Sequence, residues 1–203
     1  MMEDLVEDQG PSLIKKWWNP QSFSNRTVEA EKLHILMEAA RRTPSFKNEQ
    51  PWNFIIVTTE DADGYSSLLA CLDESNASWA RRAPVLILSV ARHNFEIDGA
   101  RNKHAYHDVA QAVSNIALRA KSLGLQVRQI AGFDAAMTRL RFHIPEGHSP
   151  VGVIVIGYPL HPIAGSDDCQ GDRTTVQLRS IESIGFAGRW GQPVSLPKVV
   201  RCP

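Results

Sequence analysis

Residues 43–52, T-P-S-F-K-N-E-Q-P-W, concentrate side chains that could recognise a ligand. Hydroxyl, amide and charged groups occur together over residues 45–50, and Phe46 and Trp52 add flat apolar faces. This mixture suits a planar heteroaromatic ligand with polar edges, because such a ligand needs a stacking surface and a few convergent hydrogen bonds. An ordinary loop between a helix and a strand, with Trp52 and Phe54 in the core, fits the same residues.

Two prolines restrict the backbone of this stretch. Pro44 and Pro51 fix their own φ angles and disfavour helix at the residues before them, Thr43 and Gln50. We therefore predict that the segment between them follows one extended path and presents its polar groups from a fixed frame.

Hydrophobic periodicity predicts the elements around this stretch. Apolar residues at spacings of three and four predict helices over residues 29–42, 61–72 and 104–124. Ser12 and Asp134 could cap two further helices, over 12–18 and 135–142. Apolar runs predict strands over residues 53–59, 84–92, 126–133 and 151–158. Residues 73–82 and 93–103 are predicted loops, the second of them a candidate lid, and 161–175 is a third loop. Small residues along 104–124 would allow another helix to approach closely.

Composition places the chain among ordinary single-domain proteins. Its 203 residues carry 22 basic and 22 acidic side chains, so net charge indicates no nucleic-acid partner. Cys71, Cys169 and Cys202 are widely spaced, so they predict neither a disulfide framework nor a zinc site, and we expect a cytoplasmic protein. Residues 1–11 lack the apolar run of a secretory signal and are expected to be frayed, and no run is long enough to span a membrane.

Several motifs resemble those of one family. The pattern P-S-x-x-N-x-Q-P-W follows an E-A-A-R helix, precedes N-F-I-I-V, and is joined by G-R-W-G at 188–191. From about residue 16 to about residue 193 the chain resembles the nitroreductase family of FMN-dependent oxidoreductases. The resemblance implies an α+β fold with a mixed, mostly antiparallel sheet flanked by helices, in an intertwined homodimer with two flavins at the interface. We expect one FMN-binding domain over residues 12–194 and a tail over 195–203.

The resemblance also implies a set of cofactor-binding residues. Ile130–Gly132 would lie beside flavin N5, Asn76 against the pyrimidine edge, and Arg179 on the phosphate. Two of these assignments have alternatives that the sequence does not distinguish. Asn76 could be an ordinary turn residue, and Ile130–Gly132 could be the end of a strand before Asp134, which would cap the next helix. The full set comprises Trp17, Trp18, Asn19, Gln21, Pro44, Ser45, Phe46, Asn48, Asn76, Ile130, Ala131, Gly132 and Arg179.

The chain departs from the family where the flavin phosphate is bound. Trp17 and Gln21 stand at two positions where relatives have cations. Charge-assisted phosphate contacts are about twice as strong as neutral ones, so their loss should weaken FMN retention unless Lys15, Lys16 or Arg26 substitutes. Alternatively, Trp17 and its neighbour Trp18 pack at the dimer surface.

The resemblance implies redox chemistry in two half-reactions. NAD(P)H would deliver hydride to flavin N5, and a nitroaromatic, quinone or similar acceptor would then take it from the same face. No side chain need act as a nucleophile, so no catalytic residue is assigned. His104, His107 and Asp108 share one helical turn, but no fourth ligand is evident, so no metal is predicted. His104, Tyr106 or His107 could instead face a substrate, or these residues could simply begin a helix. Alternatives are a catalytically altered flavin- or ligand-binding dimer, or a flavin-cleaving or dehalogenating branch.

Gln21 predicts a low reduction potential. A cation near flavin N1 stabilises the anionic reduced cofactor, and a neutral amide does so less. We expect the Gln21→Arg variant to raise the two-electron midpoint potential, measured by dye-coupled titration. A midpoint that stays the same or falls would contradict this prediction.

Overall fold

The computed structural model describes residues 22–160 and 179–194, which belong to two separate compact units. Residues 22–160 form four strands and five helices. The strands are β1 (Trp52–Thr58), β2 (Val85–Arg92), β3 (Gln126–Ile130) and β4 (His148–Gly157). The helices are α1 (Ala30–Arg41), α2 (Ala62–Leu69), α3 (Glu74–Ala80), α4 (Ala105–Ser122) and α5 (Ala135–Arg141). In this part of the chain no helix has the length and apolar character needed to cross a membrane.

The strands form one sheet in the order β1-β2-β4-β3. Every pairing among these strands is antiparallel. The α+β class is therefore confirmed, whereas the mixed sheet that we expected is a purely antiparallel one in the described residues. Strand β2 is buried on both faces because helices cover the two sides of the sheet, which accounts for its nearly continuous apolar sequence.

Alternate residues of β2 and β4 point into two separate cores. Leu86, Leu88, Val153 and Val155 pack with α2 and α3 on one face. Their neighbours along the strands, such as Ile87 and the other residues of the second core, pack with α1 and α4 on the opposite face. This period of two follows from strand geometry and separates α4 from α3 by the thickness of the sheet.

The predicted loop over residues 73–82 is wrong, because α3 occupies most of it. Its Asp, Ser and Asn content is typical of turns, but Ala77, Trp79 and Ala80 are buried in the core beneath the sheet. Tertiary burial of this face therefore overrides the weak local propensity. The correction matters because it places Asn76 on a helix.

The small-residue stripe of α4 permits the close helix approach that we predicted from sequence, and the helix that approaches is α1 of the same chain. Val109, Ala112, Ile116 and Ala120 are fully buried within the chain, where they pack with α1 and the sheet. The close approach that these small residues permit is thus used inside one subunit. Their apolar character is no argument for a dimer.

Tyr65 offers a test of the core beneath α2. Its hydroxyl donates to the carbonyl oxygens of Ala83 at 2.5 Å and Ala80 at 3.2 Å. We expect Tyr65→Phe to lower the free energy of unfolding by about 1 kcal/mol, because both carbonyls lose this donor. Burial raises the pKa of Tyr65 from 10.0 to about 12. Tyr65 thus contributes to the free energy of unfolding, and this contribution is lost as pH rises above 10. In urea titrations across that range, the free energy of unfolding should fall less steeply with pH in the phenylalanine variant than in the wild type.

Residues 179–194 contain a short 3-10 helix, Ile181–Ser183, and a bridge between Phe186 and Pro193. The rings of Phe186 and Trp190 lie 4.8 Å apart. The predictions for residues 1–11, 12–18, 161–175 and 195–203 fall wholly outside the described residues, and the single-domain boundaries stay a prediction.

Candidate functional site

The segment after α1 is held in place by α4. The amide of Phe46 donates to Oδ2 of Asp108 at 3.0 Å, and Asp108 is only 2% exposed. About two turns further along α4, Asn115 Nδ2 donates to the hydroxyl of Thr43 at 2.7 Å. Two polar side chains of α4 therefore fix Pro44, Ser45 and the turn that follows them.

The extended path predicted for this segment is wrong. Residues Phe46–Asn48 form a 3-10 turn, and Lys47, Asn48 and Gln50 have positive φ angles of 54°, 58° and 48°. The two prolines restrict only themselves and the residues before them, so they leave the turn free to form. Residues with a Cβ rarely adopt positive φ angles because the conformation is strained, and strained backbone is concentrated at functional sites.

The aromatic residues here could either form a stacking surface for a ligand or fill the core of an ordinary connection, and each interpretation holds for some of them. Trp52 and Phe54 are partly buried against the core of α1 and α4, as an ordinary connection would require. Phe46 is 43% exposed, and its ring stacks on that of His104 with centroids 4.3 Å apart. Phe46 therefore remains available to contact a ligand.

An ion pair borders the same turn. Arg92 Nη2 donates to Oε1 of Glu49 at 2.8 Å, and that oxygen also accepts from the amide of Glu96 at 2.6 Å. Beside this pair is an open, polar cavity of about 410 Å³, to which Asn48 and Gln50 contribute. No local pattern predicts this pair, because Glu49 and Arg92 are brought together only by the pairing of β1 with β2.

The second part of the predicted site forms at the end of β3. A Cβ built on Gly132 would lie 3.0 Å from Nδ2 of Asn76 and 2.2 Å from Oδ2 of Asp73. The amide of Asp73 donates to the carbonyl of Gly132 at 3.3 Å. Asn76 and Gly132 are therefore neighbours in the structure, and a side chain at position 132 would clash with Asp73 and Asn76.

The other predicted residues of this part lie next to it. Ile130 is buried in the core and Ala131 is exposed, so the chain emerges from the sheet at this point. Sequence reasoning missed Asp73, although an aspartate directly before E-S-N-A is a recognisable helix-start signal. Asp134, predicted to cap the next helix, does accept from the amide of Met137 at 2.8 Å.

The two parts of the site are far apart within one chain. The turn at Phe46 precedes β1, whereas Gly132 follows β3, and these strands are the two outermost in the sheet. Three strand spacings separate them, which is about 14 Å. They also lie on different faces, since Phe46 is anchored to α4 and Gly132 adjoins α3.

The predicted phosphate end of the site is described only in fragments. Trp17, Trp18, Asn19 and Gln21 lie outside the described residues. Arg179 belongs to the second unit, where its guanidinium donates to the carbonyl of Ser183 at 2.5 Å.

Arg26, one of the cations that could replace the missing ones, is already engaged. Its guanidinium donates to Glu29 at 2.7 Å and lies 4.0 Å from the centre of the Tyr158 ring. Hydrogen bonds from Tyr158 first, and then from Glu29's own backbone and from Arg26, lower the pKa of Glu29 to about 2. Glu29 therefore stays charged at neutral pH and keeps Arg26 paired.

The histidines at the start of α4 have structural contacts. His104 precedes the helix and stacks on Phe46, and His107 lies 2.8 Å from the side-chain amide of Gln111. Within residues 22–160 and 179–194, no three His, Cys, Asp or Glu side chains are grouped so that they could hold a metal ion.

Comparison with known proteins agrees with the resemblance in the motifs. The family model described as the nitroreductase family matches residues 14–158. An uncharacterised 15.4 kDa protein of Mycolicibacterium smegmatis is 31% identical over 135 residues, which cover 66% of this chain and 89% of that protein. A Streptomyces coelicolor protein named "Putative NADH dehydrogenase/NAD(P)H nitroreductase" is 27% identical over 79% of this chain and 88% of its own length.

Solved structures share the fold. A structure described as an oxidoreductase containing FMN superposes with a TM-score of 0.81 at 24% identity, and covers 92% of this chain and 96% of its own. An FMN-dependent nitroreductase of Clostridium difficile has a TM-score of 0.65 at 25% identity, with 83% and 98% of the two chains covered.

The fold and the family model together define a class of α+β oxidoreductases. This chain belongs to the nitroreductase family.

Proposed function

We propose that this protein is an FMN-dependent oxidoreductase that uses NAD(P)H to reduce a nitroaromatic, a quinone or a similar small acceptor. The observation that carries the proposal is the junction of Gly132 with Asn76 and Asp73. At this junction an amide and a carboxylate lie directly against a glycine backbone, and both groups suit the polar edge of a flavin ring. The FMN named for related structures supports the same cofactor here.

The residues of the chain would hold and orient the cofactor. Gly132 would let its backbone approach the ring, and Asn76 would bind the pyrimidine edge from α3. Phe46 would cover part of the ring, while Pro44, Ser45 and Asn48 fix the turn that carries it. Ile130 and Ala131 complete the β3 side, and Trp17, Trp18, Asn19, Gln21 and Arg179 are proposed for the phosphate end. When bound, FMN would supply hydride transfer between NAD(P)H and the acceptor.

We further propose a homodimer in which each site takes residues from both subunits. In one chain Phe46 and Gly132 lie on opposite faces of the sheet and about 14 Å apart across it. The sheet itself therefore separates them, and a second copy would be needed for one ring to contact both. In the dimer, the Phe46 turn of one subunit would meet the Gly132 junction of its partner. The cytoplasmic location inferred from the cysteines stays a prediction.

Anaerobic reduction tests the proposed activity. Holoprotein mixed with NADPH or NADH is expected to lose its absorption band near roughly 450 nm, and a quinone should restore it. A bound flavin that neither nucleotide reduces would contradict the oxidoreductase assignment.

One observation favours a second candidate, a flavin- or ligand-binding family member with altered catalysis. Arg26 already pairs with Glu29 and lies against Tyr158, so its use in place of the cations absent at Trp17 and Gln21 would cost that exposed, weakly stabilising ion pair. Product analysis after incubation with FMN, NADPH and oxygen would separate both candidates from a flavin-cleaving enzyme, which alone would consume the ring.

A further inference from the structure

A second cavity lies at the start of α4, and we call it the Arg101 pocket. It has a volume of about 350 Å³ and is lined by His93, Arg101, Asn102, Lys103 and Tyr106. A volume of this size can admit part of a small ligand.

Backbone hydrogen bonds hold the loop that forms the pocket. The amide of His93 donates to the carbonyl of Gly147 at 2.8 Å, and the amide of Asn102 donates to the carbonyl of His93 at 2.7 Å. A bridge also pairs Asn94 with Arg101. The two ends of the loop are thus tied to each other and to the residue before β4, so the pocket is a defined feature of the fold.

The pocket is positively charged. Within the described ranges, Arg101 and Lys103 form no ion pair, and no carboxylate lines the cavity. Burial lowers the pKa of His93, and the positive charges of Arg101, His148 and Arg139 lower it further. Arg101 and Lys103 therefore make the wall electropositive, and an anion bound between them would be favoured.

The wall also carries uncharged donors. Oδ1 of Asn102 accepts from the amide of His104 at 2.9 Å, which fixes which end of the side chain is the nitrogen. Its Nδ2 is buried and has no hydrogen-bond partner among the residues that the structure describes, and Asn102 as a whole is 4% exposed. The hydroxyl of Tyr106 lies 3.2 Å from Nε2 of His93. The Tyr106 hydroxyl and the two cations form a donor set that suits phosphate oxygens, and the unpaired amide of Asn102 belongs to the same wall.

We propose that the Arg101 pocket binds the phosphate groups of the nicotinamide nucleotide that donates hydride. The nucleotide's identity rests on the proposed function, whereas the pocket's preference for a phosphate rests on its own residues. His104 connects the two places, because it follows the pocket in the chain and stacks on Phe46 at 4.3 Å. A donor whose nicotinamide lay against the ring beside Phe46 would have its phosphates within reach of Arg101 and Lys103.

Binding of pyrophosphate and ADP-ribose, measured by isothermal titration calorimetry, tests the pocket without catalysis. We expect wild-type protein to bind both, Arg101→Gln to weaken each about ten-fold, and the Arg101→Gln/Lys103→Gln double variant to weaken them further. Arg82→Gln is the matched control. Arg82 is an exposed arginine before β2, and the eight residues of that strand, about 26 Å, separate it from the pocket.

Steady-state kinetics identify the source of the phosphate. For the donor, Arg101→Gln should raise KM about ten-fold with little change in kcat, and Arg82→Gln should change neither. Calorimetric binding that depends on Arg101, with an unchanged KM for both NADH and NADPH, would mean a free phosphate site and would overturn the donor assignment.

The failure of each proposal has a separate sign. Protein that binds neither pyrophosphate nor ADP-ribose, or that loses as much affinity in Arg82→Gln as in Arg101→Gln, would overturn the pocket even if the enzyme is active. A protein without flavin that still binds pyrophosphate through Arg101 would refute the proposed function and the donor role, and would leave the phosphate preference standing.

Discussion

Replacing Gly132 by alanine is expected to weaken FMN binding by about 10- to 100-fold. The new methyl group would lie 2.2 Å from Oδ2 of Asp73 and 3.0 Å from Nδ2 of Asn76. It would displace both side chains and hold the ring away from the backbone, so at least one hydrogen bond would be lost. Fluorescence titration of apoprotein with FMN measures the effect. Asp73 is exposed and can turn aside, so the free energy of unfolding should change by less than about 1 kcal/mol.

Gly64→Ala provides a matched control for this prediction. Its Cβ would also lie 2.2 Å from an aspartate oxygen, that of Asp61, but at the start of α2 and outside the candidate site. We expect FMN affinity to be unchanged in this variant. If the Gly132 and Gly64 variants bound FMN with equal affinity, Gly132 would not be part of the FMN site.

The second large effect is expected at Asp108. Asp108→Ala removes the buried carboxylate that accepts from the Phe46 amide, and the loss of this hydrogen bond should cost about 1 kcal/mol of unfolding free energy. The turn that carries Phe46 would then lose an anchor to α4, and we expect FMN affinity to fall about ten-fold. Apoprotein titration and urea unfolding measure the two effects.

Two further variants separate positioning from general destabilisation. Asp108→Asn retains a side-chain oxygen for the Phe46 amide and should keep most of the affinity. Tyr65→Phe should lower the free energy of unfolding by about 1 kcal/mol in the core on the opposite face of the sheet, and should leave FMN affinity unchanged. If Tyr65→Phe weakened FMN binding as much as Asp108→Ala, Asp108 would have no particular role in the site.

Most elements were predictable because their signals are local. The strand over residues 84–92 was evident as an apolar run, and α4 and the Asp134 cap were evident from spacing and residue type. The family resemblance, rather than any local pattern, placed Asn76 and Gly132 at the same flavin, and their direct proximity was found only in the structure. The family pattern carries such long-range information because it reflects a whole fold.

The errors have a common physical cause. Local composition made residues 73–82 look like a loop, but burial of Trp79 stabilises α3. Proline restrictions were extended beyond the residues that they govern, so the left-handed turn at Lys47 and Asn48 was missed. The Asp108–Phe46 and Arg92–Glu49 contacts join distant segments, and nothing in either segment alone predicts its partner.

The absorption spectrum of the protein after gel filtration tests the central claim most directly. We predict flavin bands near roughly 370 and 450 nm that coelute with a dimer, before or after reconstitution with FMN. A protein that stays colourless after FMN is added, or that binds FMN as a monomer, would contradict the account. The first result would show that the cations absent at Trp17 and Gln21 are essential, and the second that one chain forms the whole site.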